Sequence, residues 1–68
     1  MKPQINDVVH LAEGIPSESL PTGAIGTIVA VFAEPEEAYE VEFCDENGET
    51  VVQLALRPTQ FVVMPLIK

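Results

Sequence analysis

The sequence predicts an all-β fold in which five short strands close into a small barrel. Residues 39–44 alternate apolar with polar side chains, which is the two-residue period of a strand that buries one face. Turn-forming Gly, Pro, Asn and Asp residues interrupt the chain at short intervals, and no stretch has a convincing helical period. Because five short strands in a flat sheet would leave their edges exposed, we expect the sheet to close on itself.

The first half of the chain is predicted to hold two strands joined by a long loop. Residues 7–11 (DVVHL) form a short apolar strand, and residues 12–23 are rich in Gly, Pro and Ser, which is typical of an irregular loop. Residues 26–33 are rich in β-branched side chains and predict the second strand. Gly23 and Gly26 come just before it, and we expect them to allow a tight turn off the loop because glycine has no Cβ.

The second half is predicted to be a hairpin followed by a last strand. Pro35 is placed to start a turn, and the Asn47-Gly48 pair supplies the positive φ that a type I′ hairpin turn requires. The predicted elements are a turn at 34–37, a strand at 38–44, a hairpin turn at 45–48, a returning strand at 49–55, a 3-10 turn within 56–60 and a last strand at 61–64.

The apolar positions of these strands predict the core. We expect much of the core to come from Ile25, Ile28 and Val31 in the second strand. The residues expected to be largely buried across the whole barrel are Val8, Ile28, Val41, Phe43, Leu54 and Phe61.

Length and composition favour one folded domain over residues 1–68. Domains of this size bury only roughly 60% of their unfolded surface, so a partner or a second copy often adds stability. Hydrophobic residues make up 47% of the chain, which is enough for a core. A single cysteine, Cys44, excludes an internal disulfide and fits a reducing, cytoplasmic setting. We expect a soluble protein, because residues 1–11 lack the pattern of a secretory signal and no apolar run approaches the length of a membrane span.

The charge is strongly acidic and unevenly placed. Eleven acidic residues against three basic ones give a net charge of −8, and residues 3–56 contain no Lys or Arg. Polyanion binding requires cations that displace counterions, so direct binding of DNA, RNA or an anionic membrane is not expected. Eight of the eleven acids lie in one window: Glu34, Glu36, Glu37, Glu40, Glu42, Asp45, Glu46 and Glu49.

The order of these motifs resembles that of SH3-like barrels, and the stretch from Gly23 to Val29 (GAIGTIV) is similar to the opening of KOW-type barrels. Across nearly the whole chain the sequence resembles an uncharacterised family of small bacterial barrels. The motifs that carry this resemblance are Asp7-Val8-Val9, residues 20–29, Tyr39 to Phe43, Asp45 to Thr50 and Leu56 to Phe61. The resemblance implies no established activity. It does imply, for some members, an antitoxin or immunity role beside toxin-like nucleases.

The sequence departs from the better-known barrels in its loops and aromatic residues. KOW-type RNA binders carry basic loops, whereas the loops here are acidic. Peptide-binding SH3 domains line a groove with clustered aromatics that usually include Trp, and this chain has no Trp and four aromatic residues. The fold of those barrels is therefore expected here, but not their RNA-binding or peptide-binding functions.

No combination of residues predicts an active site, a cofactor or a metal site. The only histidine, His10, has no partner at a diagnostic spacing, and Cys44 lacks a predicted base. The acids at 45–49 form a cluster too short for an EF-hand, and a hairpin turn explains them. A phosphate-binding loop would need a following Lys and a helix, and Gly26 is followed by Thr27 and a strand.

The remaining expectation is a non-enzymatic protein-interaction module. The eight clustered acids are the candidate partner-binding residues, and a basic protein such as a toxin-like nuclease is the candidate partner. An equally good interpretation is that the acidic charge only keeps a small β-domain soluble. The alternative function is a structural or accessory barrel that forms a homodimer through exposed aliphatic surface.

Overall fold

The computed structural model describes residues 2–45 and 47–65, and its strands form one antiparallel sheet. The elements are β1 (Val8–Leu11), a 3-10 turn (Pro16–Glu18), β2 (Ile25–Phe32), β3 (Ala38–Cys44), β4 (Thr50–Leu56), a second 3-10 turn (Pro58–Gln60) and β5 (Phe61–Val63). The strand order is β4-β3-β2-β1-β5. The predicted all-β architecture of five strands is confirmed, and the predicted 3-10 turn before the last strand is in its expected place.

The 3-10 turn before β5 is fixed by its own residues. Pro58 occupies its first position, where no backbone N–H is needed. The backbone N–H of Gln60 donates to the carbonyl of Arg57 at 2.9 Å, and the Arg57 N–H donates to Oε1 of Gln60 at 2.7 Å. These reciprocal bonds redirect the chain from the end of β4 to the start of β5. The loop at 12–23 also contains a 3-10 turn, Pro16–Glu18, which the sequence pattern did not predict.

The sheet curls so that strands far apart in its order share one core. β3 and β5 are separated by β2 and β1, yet the rings of Tyr39 and Phe61 lie 5.4 Å apart in an edge-to-face contact at 83°. Such a contact requires the two ends of the sheet to fold toward each other. The buried core consists of Val9, Leu11, Leu20, Ile28, Tyr39, Val41, Phe43, Leu56 and Phe61.

Three residues that the sequence placed in the core lie at the surface. Val8 is 39% exposed, because the strand period turns it away from its buried neighbour Val9. Ile25 is 57% exposed, since it is three positions from the buried Ile28 and so lies on the opposite face of β2. Val31 is 44% exposed and lies beyond a register shift at 28–30, after which no described residue of β2 is buried.

Four of the other five core predictions are confirmed, and that of Leu54 is confirmed only in part. Ile28, Val41, Phe43 and Phe61 are buried to 5% exposure or less. Leu54 is only partly buried, and it packs against the core cluster from β4. β4 is the last strand of the sheet, so its inward side chains are covered less completely than those of β3.

The two glycines of the loop and second strand have different roles. Gly23 has a φ of 86°, a conformation that favours glycine, and it lies in the turn before β2. Gly26 is buried opposite Phe43, and a Cβ there would lie 2.7 Å from Cγ1 of Val41 and 2.9 Å from the carbonyl oxygen of Glu42. Gly26 therefore permits a close approach of β2 and β3, while Gly23 supplies the positive φ.

The hairpin between β3 and β4 differs from the predicted type I′ turn. Gly48 has a positive φ, of 80°. The Gly48 N–H donates to the carbonyl of Asp45 at 3.0 Å, and the Asp45 N–H donates to the carbonyl of Glu49 at 2.9 Å. This is the hairpin class in which a β-turn is followed by a left-handed glycine. The prediction of a hairpin was correct and the prediction of its turn type was wrong.

Candidate protein-interaction surface

Glu40 and Glu42 lie on the outer face of β3, as the alternation predicted. They occupy the positions between the buried Tyr39, Val41 and Phe43, and both are half-buried. The strand pairing places Glu40 between Ala30 and Ala55, and it places Glu42 between Thr27 and Gln53. The neighbours of both carboxylates across the sheet are uncharged residues.

Two neutral side chains of β4 hold these carboxylates in place. Nε2 of Gln53 donates to Oε2 of Glu40 at 3.2 Å, and Oγ1 of Thr50 donates to Oε2 of Glu42 at 2.9 Å. Neutral donors orient a carboxylate without cancelling its charge. The β3 surface therefore keeps both negative charges in defined positions.

The turn that precedes β3 adds two exposed acids. Glu34 and Glu36 both lie at the surface. Oε1 of Glu36 is 3.7 Å from Nη2 of Arg57, and the two side chains are 68% and 70% exposed. Exposed ion pairs contribute little, typically about 0–1 kcal/mol. The contact brings a cation to one end of the acidic window, which the local sequence did not predict.

Glu37 has a different environment, because it accepts a hydrogen bond from the hydroxyl of Tyr39. Tyr39 is buried and its OH donates to Oε2 of Glu37. This hydrogen bond, together with desolvation and the negative charge of Glu37, raises the pKa of the Tyr39 phenol above its ordinary value near 10. Glu37 is therefore part of the internal structure of the turn rather than a free surface charge.

The raised pKa predicts that the protein loses stability at alkaline pH. The hydrogen bond needs the protonated phenol, so its contribution is complete below about pH 10 and is lost as the pH rises through the folded-state pKa. We expect the free energy of unfolding to fall above about pH 10, and the Tyr39→Phe variant to lack that component of the decrease. Tyr39 is the only tyrosine in the chain, so tyrosinate absorbance reports its titration directly. Identical pH profiles for the two proteins would contradict the prediction.

Asp45 is also used by the fold. Its Oδ1 accepts the backbone N–H of Asn47 at 2.9 Å and that of Glu49 at 3.0 Å, which stabilises the hairpin turn. Glu49 itself is exposed. Glu46, the remaining predicted residue, lies outside the described residues.

The comparison with known proteins shows the family. A family model described as "Domain of unknown function (DUF4926)" matches residues 5–63, which include all five strands. The chain belongs to the DUF4926 family. No curated protein and no solved structure matches the chain significantly.

In this DUF4926 domain the predicted acidic residues therefore divide into two groups. Glu37 and Asp45 form hydrogen bonds within turns. The other described members point outward, and we call them the acidic face: Glu34, Glu36, Glu40, Glu42 and Glu49. The acidic face follows the outer side of β3 and continues into the turns at both ends of that strand.

The other chemically reactive residues of the DUF4926 domain are not grouped into a site. His10 is half-buried and pairs with Ile25 and Val62 across the sheet. Cys44 is exposed, with its Sγ 4.0 Å from Oε1 of Glu42. Within residues 2–45 and 47–65, no three His, Cys, Asp or Glu side chains are placed to share a metal ion. The same part of the chain has no helix with the length and apolar character needed to cross a bilayer.

Proposed function

We propose that this protein is a non-enzymatic interaction module that binds a basic protein through its acidic face. The observation that carries the proposal is the arrangement of Glu40 and Glu42. They project from one side of β3 and are oriented by neutral Gln53 and Thr50, so their charges stay available to a partner. A toxin-like nuclease is the partner class we favour, which would make the protein an antitoxin or immunity protein.

The mechanism is electrostatic. A nuclease presents cations to the phosphates of its substrate, and carboxylates on a rigid strand can occupy those positions instead. Long-range attraction raises the rate of encounter, and salt screens it over about 8 Å at physiological ionic strength. The rigidity of β3, whose alternate side chains are buried, keeps the spacing of the two carboxylates fixed.

Two further assignments accompany this proposal. We assign the sheet to the SH3-like barrels, supported by the strand order β4-β3-β2-β1-β5 and by the 3-10 turn before β5. We also propose the bacterial cytoplasm as the setting, since an exposed Cys44 is compatible with a reducing compartment.

The test is charge reversal at the centre of the acidic face. A partner would first be captured at low salt from cells that produce the protein, and its association rate would then be measured by stopped flow. We expect the double substitution Glu40→Lys and Glu42→Lys to slow association by about tenfold or more. Electrostatic steering of the partner depends on the negative potential close to the binding surface, and the two lysines reverse it. Raising the salt should weaken binding of the unmodified protein.

A matched control separates the position of the charge from its amount. Glu13→Lys with Glu18→Lys makes the same change in net charge on exposed residues of the 12–23 loop, which are not part of the acidic face. We expect this control to bind nearly as fast as the unmodified protein, and all variants to keep their thermal stability. Equal slowing by both pairs of substitutions, or binding that ignores salt, would contradict the proposal.

A second candidate function is supported by the exposed apolar surface. The large hydrophobic side chains exposed among the described residues are Ile5, Val8, Ile25, Val29, Val31, Phe32, Val51, Val62 and Val63. Val62 and Ile25 lie on the strands on either side of His10, so they share one face of the sheet with His10 between them. A structural barrel that dimerises through it would show a concentration-dependent, salt-independent dimer in sedimentation experiments.

A further inference from the structure

The long edge of the sheet at β4 is open. β4 (Thr50–Leu56) is the terminal strand in the sheet order, and within the described residues its outer side pairs with no other strand. An open edge presents alternate unpaired N–H and C=O groups that can bind another strand. Natural edges are commonly blocked by charged side chains or proline, and the β4 sequence TVVQLAL contains neither.

The regular part of this edge runs from Val52 to Leu56. A register shift against β3 leaves Val51 as an extra residue, 59% exposed, near the hairpin. Beyond it the pairing with β3 is continuous through Leu56. Gln53 and Ala55 lie on the outer face, and Leu54 turns toward the core. A strand added here would extend both the outer surface and the covered inner surface of the sheet.

The charges around the edge select the chemistry of that strand. Glu40 and Glu42 lie on β3, so a strand added beyond β4 would run two strand spacings, about 10 Å, from them. That distance is similar to the screening length at physiological salt, and long cationic side chains reach back across it. Glu49 lies at one end of β4, and Glu36 lies near Arg57 at the other.

We propose that the basic partner adds an extended segment to the edge of β4 as a sixth strand, with its cationic side chains on the outer face reaching across β4 toward Glu40 and Glu42. This inference rests on the proposed function and specifies how the partner is held. Backbone pairing supplies affinity, and the carboxylates select basic side chains. A second copy of the chain is a poorer occupant, because each copy carries a net charge of −8.

Two synthetic peptides of equal length and charge test the inference. In one peptide lysine alternates with valine, and in the other lysine alternates with proline, which has no backbone N–H and cannot form a complete ladder. We expect the lysine–valine peptide to bind at least about tenfold more tightly at low salt, since only it can pair with β4. Amide hydrogen exchange should show new protection at those β4 amides that do not already pair with β3.

Matched substitutions locate the contact on the sheet. Gln53 and Thr27 flank Glu42 on opposite sides in the pairing register, but only Gln53 is on the edge strand. Gln53→Lys and Thr27→Lys add the same charge directly across from Glu42, one on each neighbouring strand. We expect Gln53→Lys to weaken binding of the lysine–valine peptide several times more than Thr27→Lys does.

The outcomes distinguish this inference from the proposed function. Equal binding of both peptides without β4 protection would overturn strand addition and leave binding through the acidic face intact. Failure of both peptides to bind would also overturn strand addition, while charge reversal with the captured partner would still decide the proposed function. Protection of β4 that increases with protein concentration and needs no peptide would assign the edge to a second copy instead.

Discussion

Replacing Gly26 with valine is expected to destabilise the protein by about 3 kcal/mol, the upper part of the range for an overpacked core. Even the first added carbon would lie 2.9 Å from the carbonyl oxygen of Glu42 and 2.9 Å from Cε1 of Phe43. The Phe43 ring is buried and the carbonyl belongs to the backbone of β3, which is paired on both sides, so neither can move freely. The strain must therefore be relieved by separating β2 from β3.

Urea denaturation monitored by circular dichroism measures this effect. Thr27→Val is the matched control, because it places the same side chain on the next residue of β2, which is half-buried on the outer face. We expect the control to change stability by less than about 1 kcal/mol. A Gly26→Val protein as stable as the control would show that the two strands can separate at little cost.

The order and type of the elements could be predicted because their signals are local. The alternation of residues 39–44 and the glycine of the hairpin can each be recognised from a few neighbouring residues, and the structure contains both predicted strands of that hairpin. The 3-10 turn was predicted within residues 56–60 (LRPTQ), and in the structure it begins at Pro58. The turn type was missed because Asp45, whose side chain accepts two backbone N–H groups, favours a different turn from the Asn-Gly pair alone.

The core was predicted less well, because a composition rich in aliphatic residues hides the direction of each side chain. Val8 and Val9 are chemically identical, and only the strand period decides which is buried. That period also separates Ile25 from Ile28, and it could have been applied to the sequence. Val31 is also three positions from Ile28, but a register shift between β2 and β3 places it opposite the buried Tyr39, and no local pattern indicates that shift. Val31 is nevertheless exposed because it lies near the end of β2, where no described residue is buried.

The candidate surface was predicted at its centre and not at its ends. Glu40 and Glu42 followed from alternation. The hydrogen bond between Glu37 and Tyr39 joins residues two apart on the chain and depends on how the turn enters β3. The contact of Glu36 with Arg57 depends on the long return of the chain through β4, so the sequence alone gave no signal for it.

Truncating Phe61 to alanine is expected to destabilise the protein by about 3–5 kcal/mol, the usual cost of removing a buried phenylalanine ring. Phe61 is 5% exposed, pairs with Leu11 in the sheet and makes an edge-to-face contact with Tyr39 of β3, which is not a neighbouring strand. β5 contains only three residues, so this ring is its main anchor in the core. A chain of this length has a total stability of roughly 3–10 kcal/mol, and the variant should therefore be largely or partly unfolded at room temperature.

Two further variants separate the loss of the ring from a general weakening of β5. Val62→Ala shortens the neighbouring side chain, which is 48% exposed on the outer face, and we expect it to cost about 1 kcal/mol or less. Phe61→Leu keeps apolar volume but loses the contact with the Tyr39 ring, so it should fall between the two, at about 1–2 kcal/mol. Chemical denaturation gives all three values on one scale. If Phe61→Ala were no more destabilising than Val62→Ala, this aromatic pair would not hold the two sides of the sheet together. The curl of the sheet would then have to depend on the bulged strand β2 and on the 3-10 turn.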